Sequence, residues 1–131
     1  MRLLAAFAAL SLALCAPLIA QELSPEATQF FEQKVRPILH TKCALCHNDK
    51  TKMSDLSLAG RDSTLDGGTR GPAAVPGDPD GSLLVRGIRH SGELKMPPTG
   101  KLSQPEIDAL ARWVEMGLPW PEANLSEAPK A

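Results

Sequence analysis

Cys43-Ala44-Leu45-Cys46-His47 is the stretch on which the reading of this chain turns. Two thiols three positions apart can each add to a vinyl group of one porphyrin, making two thioether bonds. The imidazole that follows at once can reach the metal with a ring nitrogen. This five-residue pattern signals covalent haem attachment. It predicts one haem c, bound through Cys43 and Cys46, with His47 as an iron ligand.

Three other chemistries use paired cysteines. A zinc site needs two further ligands at matching spacing. The other histidines are His40 and His90, and no second cysteine pair exists. A thioredoxin-like redox pair expects a βαβ context, and no strand pattern is present. A structural disulfide across two intervening residues needs no following histidine.

Downstream, the question is the second axial ligand. Met53 is six residues past His47, which keeps it on the same side of the ring. Met116 sits at the end of the last predicted helix, where a methionine ordinarily packs into a core. Met96 lies 49 residues after His47, in Lys95-Met96-Pro97-Pro98, whose prolines stiffen the backbone next to the sulfur. Met96 is therefore the expected sixth ligand, in keeping with His/Met pairing in electron-transfer cytochromes. His90 is the rival, through bis-His ligation, and is otherwise a rim residue. Arg61, Arg86, Arg89 and Lys95 are candidate partners for the haem carboxylates. The Nδ1–H of His47 needs an acceptor, and a carbonyl of the Gly71-Pro72 loop is the expected one.

Upstream, Ser24 and Pro25 open a helix as N-cap and first helical residue. Phe31, Val35, Ile38 and Leu39 recur on one face of it, and Pro37 predicts a kink. Residues 1–20 read as a signal peptide: Arg2 supplies the positive start, Leu3 to Leu14 the short apolar run, and Ala20 the cleavage position before Gln21. Lipidation at Cys15 is the competing reading; Leu14 before it is larger than such signals usually carry. Only then would the chain sit on a membrane. Otherwise the expected location is periplasmic or another exported compartment.

The middle is loop-rich. Leu56 and Leu58 alternate with polar neighbours, and Gly60, Gly67 and Gly68 mark turns. Residues 71–79 form a stiff Gly/Pro loop, and Asp80 is expected to cap a short helix carrying Leu83, Leu84 and Ile88. The final helix is the best signalled: Ser103-Gln104-Pro105-Glu106 is a capping box. Ile107, Leu110, Ala111 and Val114 make its face, and Gly117 stands at its C-terminal cap position. Residues 21–121 are thus read as one domain and 122–131 as a short disordered tail.

The chain has 131 residues and 43% hydrophobic content, which allows one domain with a modest core. Twelve prolines and ten glycines make a large apolar cofactor a welcome nucleus. Removing Arg2 with the leader leaves 13 Lys+Arg against 15 Asp+Glu, a net charge of −2. No basic stripe exists, which argues against nucleic acid as a partner.

Together these stretches resemble the planctomycete-type cytochrome c domain, a relative of class I cytochromes c. The likeness runs through Phe31, Val35-Arg36-Pro37-Ile38-Leu39, the Cys43–His47 motif, Gly71–Pro79, Ser82–Arg86 and Lys95–Pro98. It ends in Leu102-Ser103, Ile107, Trp113-Val114 and Gly117–Pro121. The resemblance implies an all-α fold whose first and last helices cross beside the haem, and it implies His47 and Met96 as axial ligands. In that family the domain often precedes larger domains on one polypeptide.

The function expected is a mono-haem, single-electron carrier that exchanges electrons with redox proteins. It is not expected to be an enzyme, since no acid/base constellation accompanies the motif. The alternative is a haem enzyme or gas sensor of peroxidase type, with an open axial site and with His90 and Arg89 poised over it. That reading requires Met96 to be unbound.

Overall fold

The computed structural model describes residues 23–121; the leader read over 1–20, with Cys15, and the tail read over 122–131 lie outside them. Among the described residues there are helices and isolated bridges but no strand, so the architecture is all-α.

Helix α1 runs over residues 25–43. The Ser24 hydroxyl accepts the Ala27 amide at 3.1 Å, and Pro25 takes the first turn, as expected. Pro37 offers no amide hydrogen, and its ring crowds the carbonyl four residues back. The helix answers with two wide π turns, Phe31–Val35 and Leu39–Cys43, around a short α segment, Arg36–Ile38. Across the first wide turn the Arg36 amide reaches the Phe31 carbonyl, and across the second the Ala44 amide reaches the Leu39 carbonyl at 2.8 Å. Both bonds span five residues. The disturbance expected at Pro37 thus takes the form of a shifted hydrogen-bond register.

Helix α2, Arg61–Asp66, is an element the sequence pattern did not predict. Helix α3, Leu83–Arg89, is preceded by Ser82 as N-cap rather than by Asp80. Asp80 instead pairs with Arg89 at the far end of the same helix. The Ser82 hydroxyl is fully buried; it donates to the Asp78 carbonyl at 2.7 Å and accepts the Val75 amide at 2.9 Å. That pins the Gly/Pro loop to the start of α3.

Helix α4, Gln104–Glu115, has the predicted capping box: the Ser103 amide donates to the Glu106 carboxylate at 2.9 Å. This bond, with one from the Ser103 hydroxyl, holds the Glu106 carboxyl below its usual range. The cap's contribution is therefore present above the unfolded-state value and fades as pH falls through the folded one. Gly117 follows the Met116 C-cap with φ 92°, a left-handed step suited to glycine.

The 31–35 segment of α1 packs against α4, which also packs against α3. Phe31, Trp113 and Trp120 cluster at the α1–α4 junction with ring centroids 5.1–6.1 Å apart. Trp113 satisfies its indole by donating to the Pro119 carbonyl at 2.9 Å. Arg36 is buried beside them, bidentate on Glu32 at 2.6 and 3.0 Å and lying over the Phe31 ring. Met116 is not in this core: it is 37% exposed, because the helix caps at that residue and its side chain leaves the apolar face.

Leu110 is fully buried at the centre of the α4 face. Leu110→Ala should lower the unfolding free energy by about 2–5 kcal/mol, measured by denaturant titration followed by circular dichroism. A loss well under about 1 kcal/mol would mean that the α1–α4 junction carries little of the stability.

Candidate functional site

The Cys43–His47 segment closes as one helical turn at the end of α1. The Cys46 and His47 amides donate to the Cys43 carbonyl at 3.2 and 3.0 Å. Residues three and four apart share a helix face, so both thiols and the imidazole front one cleft. The chain then folds back on the turn: the Met53 amide donates to the Cys46 carbonyl at 3.0 Å, and the Leu58 amide to the His47 carbonyl at 2.9 Å. Asn48 braces the bend by donating to the Ala44 carbonyl at 2.6 Å and accepting the Lys50 and Thr51 amides.

The cleft holds about 1020 Å³ of space, its open mouth included. The end of α1 forms one part of its lining. Other parts come from Met53, Leu56 and Leu58, from the 68–73 turn, and from Leu83, Leu84, Gly87 and Ile88 on α3. Met96, Pro97 and Pro98 complete it. The 67–71 turn needs its first glycine. Gly67 has φ 75°, and a Cβ there would stand 1.9 Å from the Gly71 carbonyl oxygen. Helix α4 contributes no residue to the lining; it backs α1 and α3, so the last helix stands one layer behind the cleft rather than at its wall.

All four residues expected to bind the cofactor, Cys43, Cys46, His47 and Met96, line this cleft. His47 Nδ1 lies 3.1 Å from the Met53 carbonyl oxygen. A carbonyl only accepts, so Nδ1 carries the hydrogen and Nε2 keeps its lone pair for a metal. The acceptor is thus Met53, not the Gly71-Pro72 loop as expected: the hydrogen-bonded return of the chain over the motif brings that carbonyl to the ring first.

Burial in apolar surroundings pushes the Cys43 thiol up to about 11. Such a thiol is neutral at physiological pH, unlike the low-pKa thiolate of a redox-active pair. Among the described residues no group of three His, Cys, Asp or Glu is placed to hold a bare metal ion. The donor set is two thiols, an imidazole and a thioether on walls made mostly of leucine, isoleucine and proline carbon. These residues fit a flat apolar macrocycle carrying an iron. Met53, a large apolar side chain 57% exposed at the cleft, gains cover from such a group.

Residues 43–100 match the family Planctomycete cytochrome C. The match supports a c-type cytochrome, and the cytochrome c family implies covalently bound haem c and electron transfer. No curated protein and no solved structure matches the chain.

The structure redistributes the cations around this cleft. None of Arg61, Arg86, Arg89 and Lys95 lines it. Arg61 donates to the Leu118 and Gly117 carbonyls at 3.1 and 3.3 Å, tying α2 to the end of α4. Arg89 is engaged by Asp80, and Arg86 and Lys95 are exposed. The cations at the cleft are Lys42 and Arg70, which the sequence reading did not single out. Arg70 adjoins the Gly71-Pro72 step, and that adjacency was the available signal. His90 also stays off the lining, with its Nε2 3.3 Å from the Met96 carbonyl oxygen. Neither member of the pair expected for a peroxidase-like distal site, His90 and Arg89, lines the cleft.

Arg61→Gln should lower stability by about 1–3 kcal/mol, the scale of hydrogen bonds from a charged donor, and leave the reduction potential of the holoprotein unchanged. A shift in potential at unaltered stability would return Arg61 to the haem carboxylates.

Proposed function

We propose that this chain is an exported mono-haem c-type cytochrome that carries single electrons, its iron held between His47 and Met96. The reading is carried by the convergence of two thiols, an imidazole with its Nε2 lone pair free, and the Met96 segment on one apolar cleft. A bound haem supplies the one-electron Fe(III)/Fe(II) couple. The chain does the rest. Each thiol S–H adds across one vinyl double bond, sulfur to one carbon and hydrogen to the other, so no oxidant is consumed. The Met53 carbonyl orients the His47 ring. Met96 offers a neutral, soft sulfur that favours the ferrous state relative to imidazole. The leucine-rich walls keep water off the ring, so little reorganises when charge changes. Arg70 and Lys42 are the cations within reach of the haem carboxylates.

Leu45, between the two cysteines, is 84% exposed. It leaves an apolar contact point next to the thioether edge, suited to a redox-protein donor or acceptor. The leader over 1–20 sends the domain of residues 21–121 to the periplasm or another exported compartment. A membrane location follows only from lipidation at Cys15. Among the described residues no helix is long and apolar enough to cross a membrane.

Replacing both thiols, Cys43→Ala with Cys46→Ala, should abolish covalent haem and leave the chain largely unfolded, because the cleft's walls lose the group they close upon. Haem staining after denaturing electrophoresis, with circular dichroism, checks both; a cooperative fold without haem contradicts the second.

The axial assignment has its own test. Met96→His should keep a low-spin, six-coordinate haem and lower its potential, each ~59 mV being tenfold in a one-electron equilibrium. Met96→Ala should open the sixth position to carbon monoxide. Met53→Leu, which keeps an apolar side chain at the cleft, and Met116→Leu, at an exposed position, should leave the spectrum alone. An unchanged spectrum and potential in Met96→Ala would reject the assignment.

A further inference from the structure

His90 ends helix α3 in the left-handed conformation, with φ 56° and ψ 33°. Glycine adopts that backbone freely, and helices that end this way usually place glycine or asparagine there. A histidine there carries backbone strain that glycine would avoid, and its ring makes a specific contact. The ring is directed at one target: Nε2 stands 3.3 Å from the Met96 carbonyl oxygen, and since that oxygen only accepts, Nε2 carries the hydrogen.

The other polar group of the Met96 main chain is held by the same turn. The Met96 amide donates to the Gly87 carbonyl at 3.1 Å. Both main-chain groups of Met96 therefore hang from the last turn of α3. The next bond along, from the Gly100 amide to the Pro97 carbonyl at 3.3 Å, is internal to the loop and ties it to no helix. Helix α3 itself forms cleft wall through Leu83, Leu84, Gly87 and Ile88. The sulfur-bearing segment is thus referenced to the wall it shares with the cofactor.

We infer that His90 is a positioning residue for the Met96 thioether: its Nε2–H holds the Met96 carbonyl and limits withdrawal of the sulfur from the iron. The inference rests on Met96 being the axial ligand. It explains why a second histidine lies close to the site without lining it.

The test is the rate at which imidazole or cyanide binds the ferric holoprotein in stopped flow, where entry waits for the thioether to leave. His90→Gly removes the ring and suits the left-handed backbone, so it should fold, keep its low-spin spectrum and bind the added ligand about 3–10-fold faster, the scale of one lost hydrogen bond. His90→Gln, with an amide donor of similar reach, should recover much of the wild-type rate. Met96→Ala, run beside them, should bind with no such wait. If Met96→Ala binds faster and His90→Gly matches wild type, the positioning role is overturned and the axial assignment stands. If Met96→Ala changes nothing, the assignment falls and takes the inference with it. If His90→Gly loses its sixth ligand outright, His90 is itself the ligand and both fall.

Discussion

The amide of His47 bonds to the carbonyl of Cys43, and the remainder of the structure serves that one closed turn. Without it the two thiols and the imidazole would not share a face, and no single flat group could meet all three. A lone turn at a helix end frays easily in water. Here it is prevented from doing so on both sides: α1 feeds into it without a break, and the 48–58 segment bends back to bond the Cys46 and His47 carbonyls. The chemistry of the site is thus set by backbone bonds around the motif as much as by the motif's side chains.

Behind the turn stands a small core with a division of labour. Phe31, Trp113 and Trp120 supply aromatic bulk where α1 meets α4, and Leu110 and Val114 extend it. Helix α3 has both tasks, since Val85 faces this core while Leu83, Leu84 and Gly87 line the cleft. An element that belongs to core and cleft at once makes cofactor binding and folding hard to separate. The loop-rich middle adds few apolar contacts of its own and is tied down mainly by hydrogen bonds, as at Ser82 and Arg61.

Much of this was legible in the sequence where the signal is local. The Ser103–Glu106 capping box and the Ser24-Pro25 start act within one turn, so residue types alone locate them. The motif likewise needs no tertiary knowledge. What escaped depends on distant partners. Helix α2 is six residues long, too short to declare itself by periodicity, and is held by Arg61 reaching residues 117 and 118 and by the Ala73 amide on Thr64. The acceptor for His47 is a backbone carbonyl, which any residue type supplies, so nothing in the letter at position 53 points to it. Its helical position points Met116 to the core, but it is the C-cap, one step past the last helical residue, and the face that α4 buries ends at Val114.

The wide turns around Pro37 carry a consequence for angular bookkeeping along α1. Phe31, Val35, Leu39 and Cys43 are spaced by four. On a regular helix of 3.6 residues per turn, positions spaced by four advance about 40° at each step, and three steps would carry the cysteine well off the line of the phenylalanine. A five-residue hydrogen-bond span winds the backbone more slowly and takes back part of that advance. The first three residues accordingly stay fully buried, and the fourth arrives at the cleft. The proline that interrupts the ladder thereby keeps the tryptophan-facing side and the thiol-bearing end of one helix in phase. Deleting a single residue between 31 and 43 would rotate the attachment turn away from its cleft while leaving every letter of the motif intact.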